Sequence, residues 1–144
     1  MSNKLIFSQL FIMSSIAQAV DQTWISGNVN NDWNTTTGTN WDAGVAWLQN
    51  NSAIFGGTGE TVTLTEGISV DGITFNVANY TISGSTLTLG ASTINAAANA
   101  TINSQIIAGS LNKTGAGTLT LGGSNTYAGG TTWADGSLTI SNGA

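Results

Sequence analysis

The sequence predicts an all-β protein built as a β-solenoid, on three observations: its composition, its period-two alternation and the reuse of one strand segment. Of 144 residues, 22 are Thr, 16 Asn, 15 Ser and 19 Gly. Thr stiffens the backbone toward extended conformations, while Gly, Asn and Ser favour tight turns. From Thr61 onward, Val62 and Leu64, Ile68 and Val70, Ile73 and Phe75, and Tyr80 and Ile82 alternate with their neighbours. The pentapeptide TLTLG occurs at Thr86 to Gly90 and again at Thr118 to Gly122, with an altered third copy at Ser137 to Ile140. An antiparallel β-sandwich is the alternative fold, since it also has short strands and frequent turns, but it gives no reason to repeat one strand.

Residues 1–19 read as a secretory signal peptide. Lys4 supplies the positive start, Leu5 to Ile16 an apolar stretch, and Ala17-Gln18-Ala19 a small-x-small cleavage pattern. Residues 20–55 form a separate segment with four of the five tryptophans, Trp24, Trp33, Trp41 and Trp47, and little alternation. They are expected to cap the N-terminal end of the stack, because an uncovered coil exposes both apolar core and unpaired edge groups.

Residues 56–144 are read as solenoid coils. One coil cannot bury its inward aliphatic side chains alone, whereas coils stacked ~4.8 Å apart bury them in columns. At a typical solenoid period of about 20 to 25 residues, the part after Gly56 makes roughly four coils. Within Ala91 to Ala108 a short helix through Ala96 to Ala100 is the alternative, but the Asn and Thr residues and the lack of charge favour narrow coils instead. The absence of Pro leaves every backbone donor available to the ladders.

Charge excludes several functions. The only basic residues are Lys4 and Lys113, with no Arg, so no nucleic-acid partner is expected. There is no His for proton transfer and no Cys nucleophile. Asp32 with Asp42, or Glu60 with Glu66, could form a glycosidase pair, but scattered solvent-facing acids explain them more simply. Gly56 to Val62 approaches the Ca²⁺-binding β-roll nonapeptide GGxGxDxUx, yet has Thr61 in the ligand position and occurs once. No catalytic residue, cofactor or metal is therefore expected. The aromatic residues Trp133 and Tyr127, on an otherwise small-residue stretch, are the candidates for a glycan contact.

The segment Lys113-Thr114-Gly115-Ala116-Gly117-Thr118-Leu119-Thr120-Leu121, followed by Asn125-Thr126-Tyr127 and Gly129-Gly130-Thr131-Thr132, closely resembles the autotransporter-associated β-strand repeat, also called the passenger-associated transport repeat. The resemblance covers residues 111–140. It implies a right-handed parallel β-helix in a bacterial secreted passenger, displayed outside the cell or on the outer membrane, whose repeat helps the passenger fold during export. Two positions depart from the family: Trp133 replaces a small β-branched residue, and Gly136-Ser137-Leu138 replaces Gly-Thr-Leu. No run of barrel strands follows the repeat, so the polypeptide is not expected to transport itself.

The functional expectation is a secreted or surface-displayed passenger segment with a structural or adhesive role and no enzymatic activity. Its partners would be the export machinery and host or environmental glycans or other surface proteins. One alternative is a carbohydrate-binding or carbohydrate-active β-helix. The other is a self-assembling surface fibre subunit, joined end to end through the last strand.

Overall fold

A computed structural model describes residues 18–141 except 29 and 38. The signal peptide expected over residues 1–19 thus lies outside the described residues, apart from its last two positions. Fourteen strands and no helix make up the described chain. Ala96 to Ala100, where a short helix was the competing expectation, is strand and turn.

The strands alternate between two sheets as the chain winds. The six-stranded sheet holds β2 (Asp32–Trp33), β4 (Thr61–Leu64), β6 (Tyr80–Gly84), β8 (Ala100–Ile102), β11 (Thr118–Leu121) and β14 (Ser137–Ile140). The eight-stranded sheet holds β1 (Asp21–Trp24), β3 (Ser52–Phe55), β5 (Ile68–Phe75), β7 (Leu87–Ala96), β9 (Ile106–Ala108), β10 (Leu111–Thr114), β12 (Thr126–Tyr127) and β13 (Thr131–Trp133). Every pairing between strands is parallel. A sandwich of antiparallel hairpins is thereby ruled out, and the fold is a parallel β-solenoid.

The larger sheet is creased. Leu87–Leu89 pair with β9 while Thr93–Asn95 pair with β10, so β7 spans two walls. Its corner carries Ser92 at positive φ, and β5 shows the matching irregularity between Val70 and Gly72. With the six-stranded sheet, these two walls enclose the core on three sides.

The coil length follows from the register. Val62 pairs with Ile82, Ile82 with Ile102, Ile102 with Leu121 and Leu121 with Ile140, so each coil takes 20 or 19 residues. This lies at and just below the short end of the expected range. Beyond Gly56, coils begin at β5, β7, β9 and β12, in keeping with the roughly four expected. Val62, Ile82, Ile102 and Leu121 are all fully buried, one column in a continuous core. At about 25 cal/mol per Å² of apolar surface removed from water, each such aliphatic side chain contributes roughly 1.5–3 kcal/mol.

The two TLTLG copies lie on different walls. Leu87 and Leu89 belong to β7 and Leu119 and Leu121 to β11, and these strands do not pair. Their offset, residue 86 to residue 118, does not match a coil repeat of 19 or 20. The altered copy Ser137–Ile140 does stack on Thr118–Leu121, residue for residue. The repetition therefore indicated the architecture while misreporting which strands are equivalent.

At the N-terminal end, Trp24, Trp33, Trp41 and Trp47 are all buried. Trp41 stands 4.8 Å from Trp33 and 4.6 Å from Trp47, measured between ring centroids. Phe55 joins this cluster to the coils beyond, stacked on Phe75 at 5.1 Å and 5.0 Å from Tyr80. The outer edge of β1 is also occupied: Trp24 bridges Trp41, Asp42 N donates to Thr23 O and Ile25 N donates to Asn40 O.

Candidate functional site

The six-stranded sheet presents its outward face as a set of ladders. Thr61, Thr81, Thr101, Thr120 and Thr139 occupy one register position on consecutive coils. Beside them, Thr63 pairs with Ser83 and Thr118 with Ser137. Because side chains alternate along a strand, burying Val62, Ile82, Ile102 and Leu121 obliges the threonines to face out. Apart from Asp32 of β2, which is in register with Thr63, no outward side chain of this sheet is charged. A shallow groove of about 410 Å³ runs over this face, lined by Asn79, Thr81, Asn99, Thr101, Thr118 and Thr120 among others. It offers hydroxyls, amides and methyl groups, with no carboxylate, imidazole or thiol among its lining residues.

The repeat-like motifs are structural parts of the last coils. Asn125 Oδ1 accepts from Ile106 N at 2.9 Å, fixing the corner before β12. Thr126 and Tyr127 pair with Ile107 and Ala108, and the glycine pair that follows bonds back to the preceding coil through Gly129 N to Gly109 O and Leu111 N to Gly130 O. At the corner between β10 and β11, a Cβ on Gly117 would lie 2.5 Å from Ala98 C and 2.6 Å from Ala98 O. Stacked backbones leave no room there for a side chain.

Lys113 is fully buried, a role its sequence position did not announce. It occupies an inward column made of Gln22, Ala53, Ile73, Ile94, Lys113 and Trp133. Its Nζ donates to Gly115 O, to Gly117 O at 2.6 Å and to Asp135 O at 2.8 Å. An ammonium has three donors, and three carbonyls take them. Burial pushes the Lys113 pKa below the ordinary lysine value, and the Asp135 carboxylate partly opposes that. Gln22, in the same column, clips the Trp-rich segment in a similar way: its amide donates to Ala46 O and accepts from Leu48 N and from Asn51 Nδ2.

The acids serve as tethers. Glu60 accepts from Trp24 Nε1 at 2.6 Å and from Gly27 N at 3.1 Å. Glu66 accepts from both the hydroxyl and the amide of Thr35, which holds its carboxyl below its usual range. Asp42 accepts from Thr23 N. Among the described residues, no three His, Cys, Asp or Glu side chains gather as a metal site would require.

Trp133 and Tyr127 differ in setting. Trp133 is 61% exposed, whereas Tyr127 is half-buried and packed against the core beside Ala108. Trp133 is in register with inward Lys113, so its exposure comes from lying on the last strand of its wall. The same holds for Ile140, 47% exposed although aligned with buried Leu121.

The fold and these motifs define a β-solenoid that carries an export-associated repeat. The passenger-associated transport repeat matches residues 111–140, and the chain contains one such repeat at that place. Over 155 aligned residues, 92% of this chain, the sequence is 36% identical to the adhesin BmaC autotransporter of Brucella suis biovar 1 (strain 1330). The chain spans about 4% of the length of that relative. No solved structure matches it.

Proposed function

We propose that the chain is a passenger segment exported to the cell surface, non-enzymatic and adhesive, whose repeat assists folding and export of the passenger. The similar Brucella protein is an adhesin autotransporter, which supports a surface role here. The observation that carries the adhesive reading is the wall of ladders, uncharged from β4 to β14, on which five threonines lie in register. Such a wall suits a partner rich in hydroxyls, a host or environmental glycan or a surface protein. Residues 1–19 direct export, 20–55 cap the stack, and 56–144 present the coils.

Purified protein on a glycan array and on host-cell monolayers tests this. Adhesion that falls when Thr101 and Thr120 are changed to Lys, in protein that keeps its β-sheet spectrum, supports the ladder wall. Undiminished adhesion removes it. A second reading, carbohydrate binding through Trp133, is favoured by the exposure of that ring, and Trp133→Ala separates it from the ladder. A third, end-to-end self-association, is favoured by the exposure of Trp133 and Ile140 on the last described strands, β13 and β14, of the two sheets. It requires sedimentation that changes with concentration.

A further inference from the structure

Lys113 interrupts an aliphatic column. In the two coils before it, the same position holds Ile73 and Ile94. A lysine in that column is costly, because a buried charge loses its hydration unless hydrogen bonds replace it. Two of the three replacements, Gly115 O and Gly117 O, come from the turn that directly follows Lys113 in its own coil. The third, Asp135 O, comes from the corresponding turn of the next coil, 22 residues on. Until that coil docks, one donor of the ammonium has no protein acceptor.

We infer that Lys113 is a latch that couples the folding of one coil to the docking of the next. It deepens the reading of the repeat as a folding aid. Burial of the ammonium is compensated only when the turn at 134–136 closes over it, so the two coils gain their stability together. The neighbouring geometry reinforces this. A Cβ on Gly136 would lie 2.4 Å from Gly117 O, so the two turns meet backbone to backbone. Asp135 Oδ1 accepts from Gly136 N at 2.7 Å and holds the turn in shape. The opposite end of the stack has its β1 edge already occupied by Asn40 to Asp42. Because the third acceptor lies C-terminal to Lys113, coupling runs toward the C-terminal coils.

Hydrogen exchange on the full chain tests the latch. In Lys113→Met, which keeps the apolar stem and removes the donors, amides of β13 and β14 should exchange roughly 10- to 100-fold faster, as the loss of charge-assisted hydrogen bonds implies. Amides of β4, β6 and β8 should keep their rates. Equal acceleration in all coils would make Lys113 an ordinary core residue and overturn the inference, as would no change. Gly136→Ala attacks the latch from the other side. It should free the same two strands and make Lys113 reactive toward an amine-acylating reagent, and a Lys113 that stays protected there overturns the coupling. In the double variant, effects that simply add would do the same. Export of a chain lacking residues 111–140 tests the parent reading separately, whatever the outcome for Lys113.

Discussion

Phe55 is the residue through which the tryptophan cluster and the coils share a core, and Phe55→Ala should show it. The ring is fully buried and lies between Trp24 and Phe75 in register. Its centroid is 6.0 Å from Trp24, 5.6 Å from both Trp33 and Trp41, 5.1 Å from Phe75 and 5.0 Å from Tyr80. Truncating a buried Phe to Ala costs about 3–5 kcal/mol. Rings pinned by their own contacts cannot collapse into the gap, and each aromatic pair adds ~0.5–1.5 kcal/mol beyond area, non-additively. The upper end, about 5 kcal/mol, is expected. With a urea slope of about 2 kcal/mol per M, the midpoint should fall by ~2.5 M. Tryptophan fluorescence is the suitable assay, because four of five indoles are buried around this site and only Trp133 is exposed. A loss below about 1 kcal/mol, the effect of an average substitution, would refute a shared core.

Two further outcomes follow from the corners and tethers. Gly117→Ala should lower stability by about 1–3 kcal/mol in thermal unfolding, since its new Cβ meets the backbone of Ala98 rather than a movable side chain; unchanged stability would mean the coils are less tightly stacked than described. The Thr35 hydroxyl and then its amide hold Glu66 below its ordinary value of 4.5, so the folded state binds this proton less readily than the unfolded chain. The stabilisation from Glu66 is thus fully present above about pH 4.5 and disappears as pH falls through the lower folded value. Acid titration followed by exchange at the Thr35 amide should show the tether opening, and Glu66→Gln should abolish that pH dependence.

Period-two alternation and short Thr-rich segments made the all-β class legible, because side-chain alternation is a local property of extended backbone. The inward positions Val62, Ile82, Leu119 and Leu121 were readable for the same reason, and all are buried. The equivalence of strands was not readable. Two identical TLTLG segments occupy different walls, while Val62, Ile82 and Ile102, which look unremarkable in sequence, form one column. Local sequence specifies a strand, but stacking decides its neighbours. Leu138 and Ile140 show the limit from another side. They have the same alternation as Leu119 and Leu121 and lie in register with them, yet they are less buried, because burial in a solenoid is conferred by the coil above.

The candidate site divides in the same way. The exposed Trp133 was identifiable as an unusual residue in its repeat, and the ladder threonines were visible as polar alternation. Their alignment into an uncharged wall was not, since it depends on a coil length of 19 or 20 residues that no single segment states.

The sequence by itself determined the backbone conformation, the period that sorts inside from outside, and the absence of Arg, His and Cys chemistry. Tertiary structure alone decided that Glu60 and Glu66, acids that read as solvent-facing, are clasps between segments, as are Lys113 and Gln22. A polar side chain's partner is set by which carbonyl or amide the next coil brings within 3 Å or so. That distance exists only once the coils are stacked.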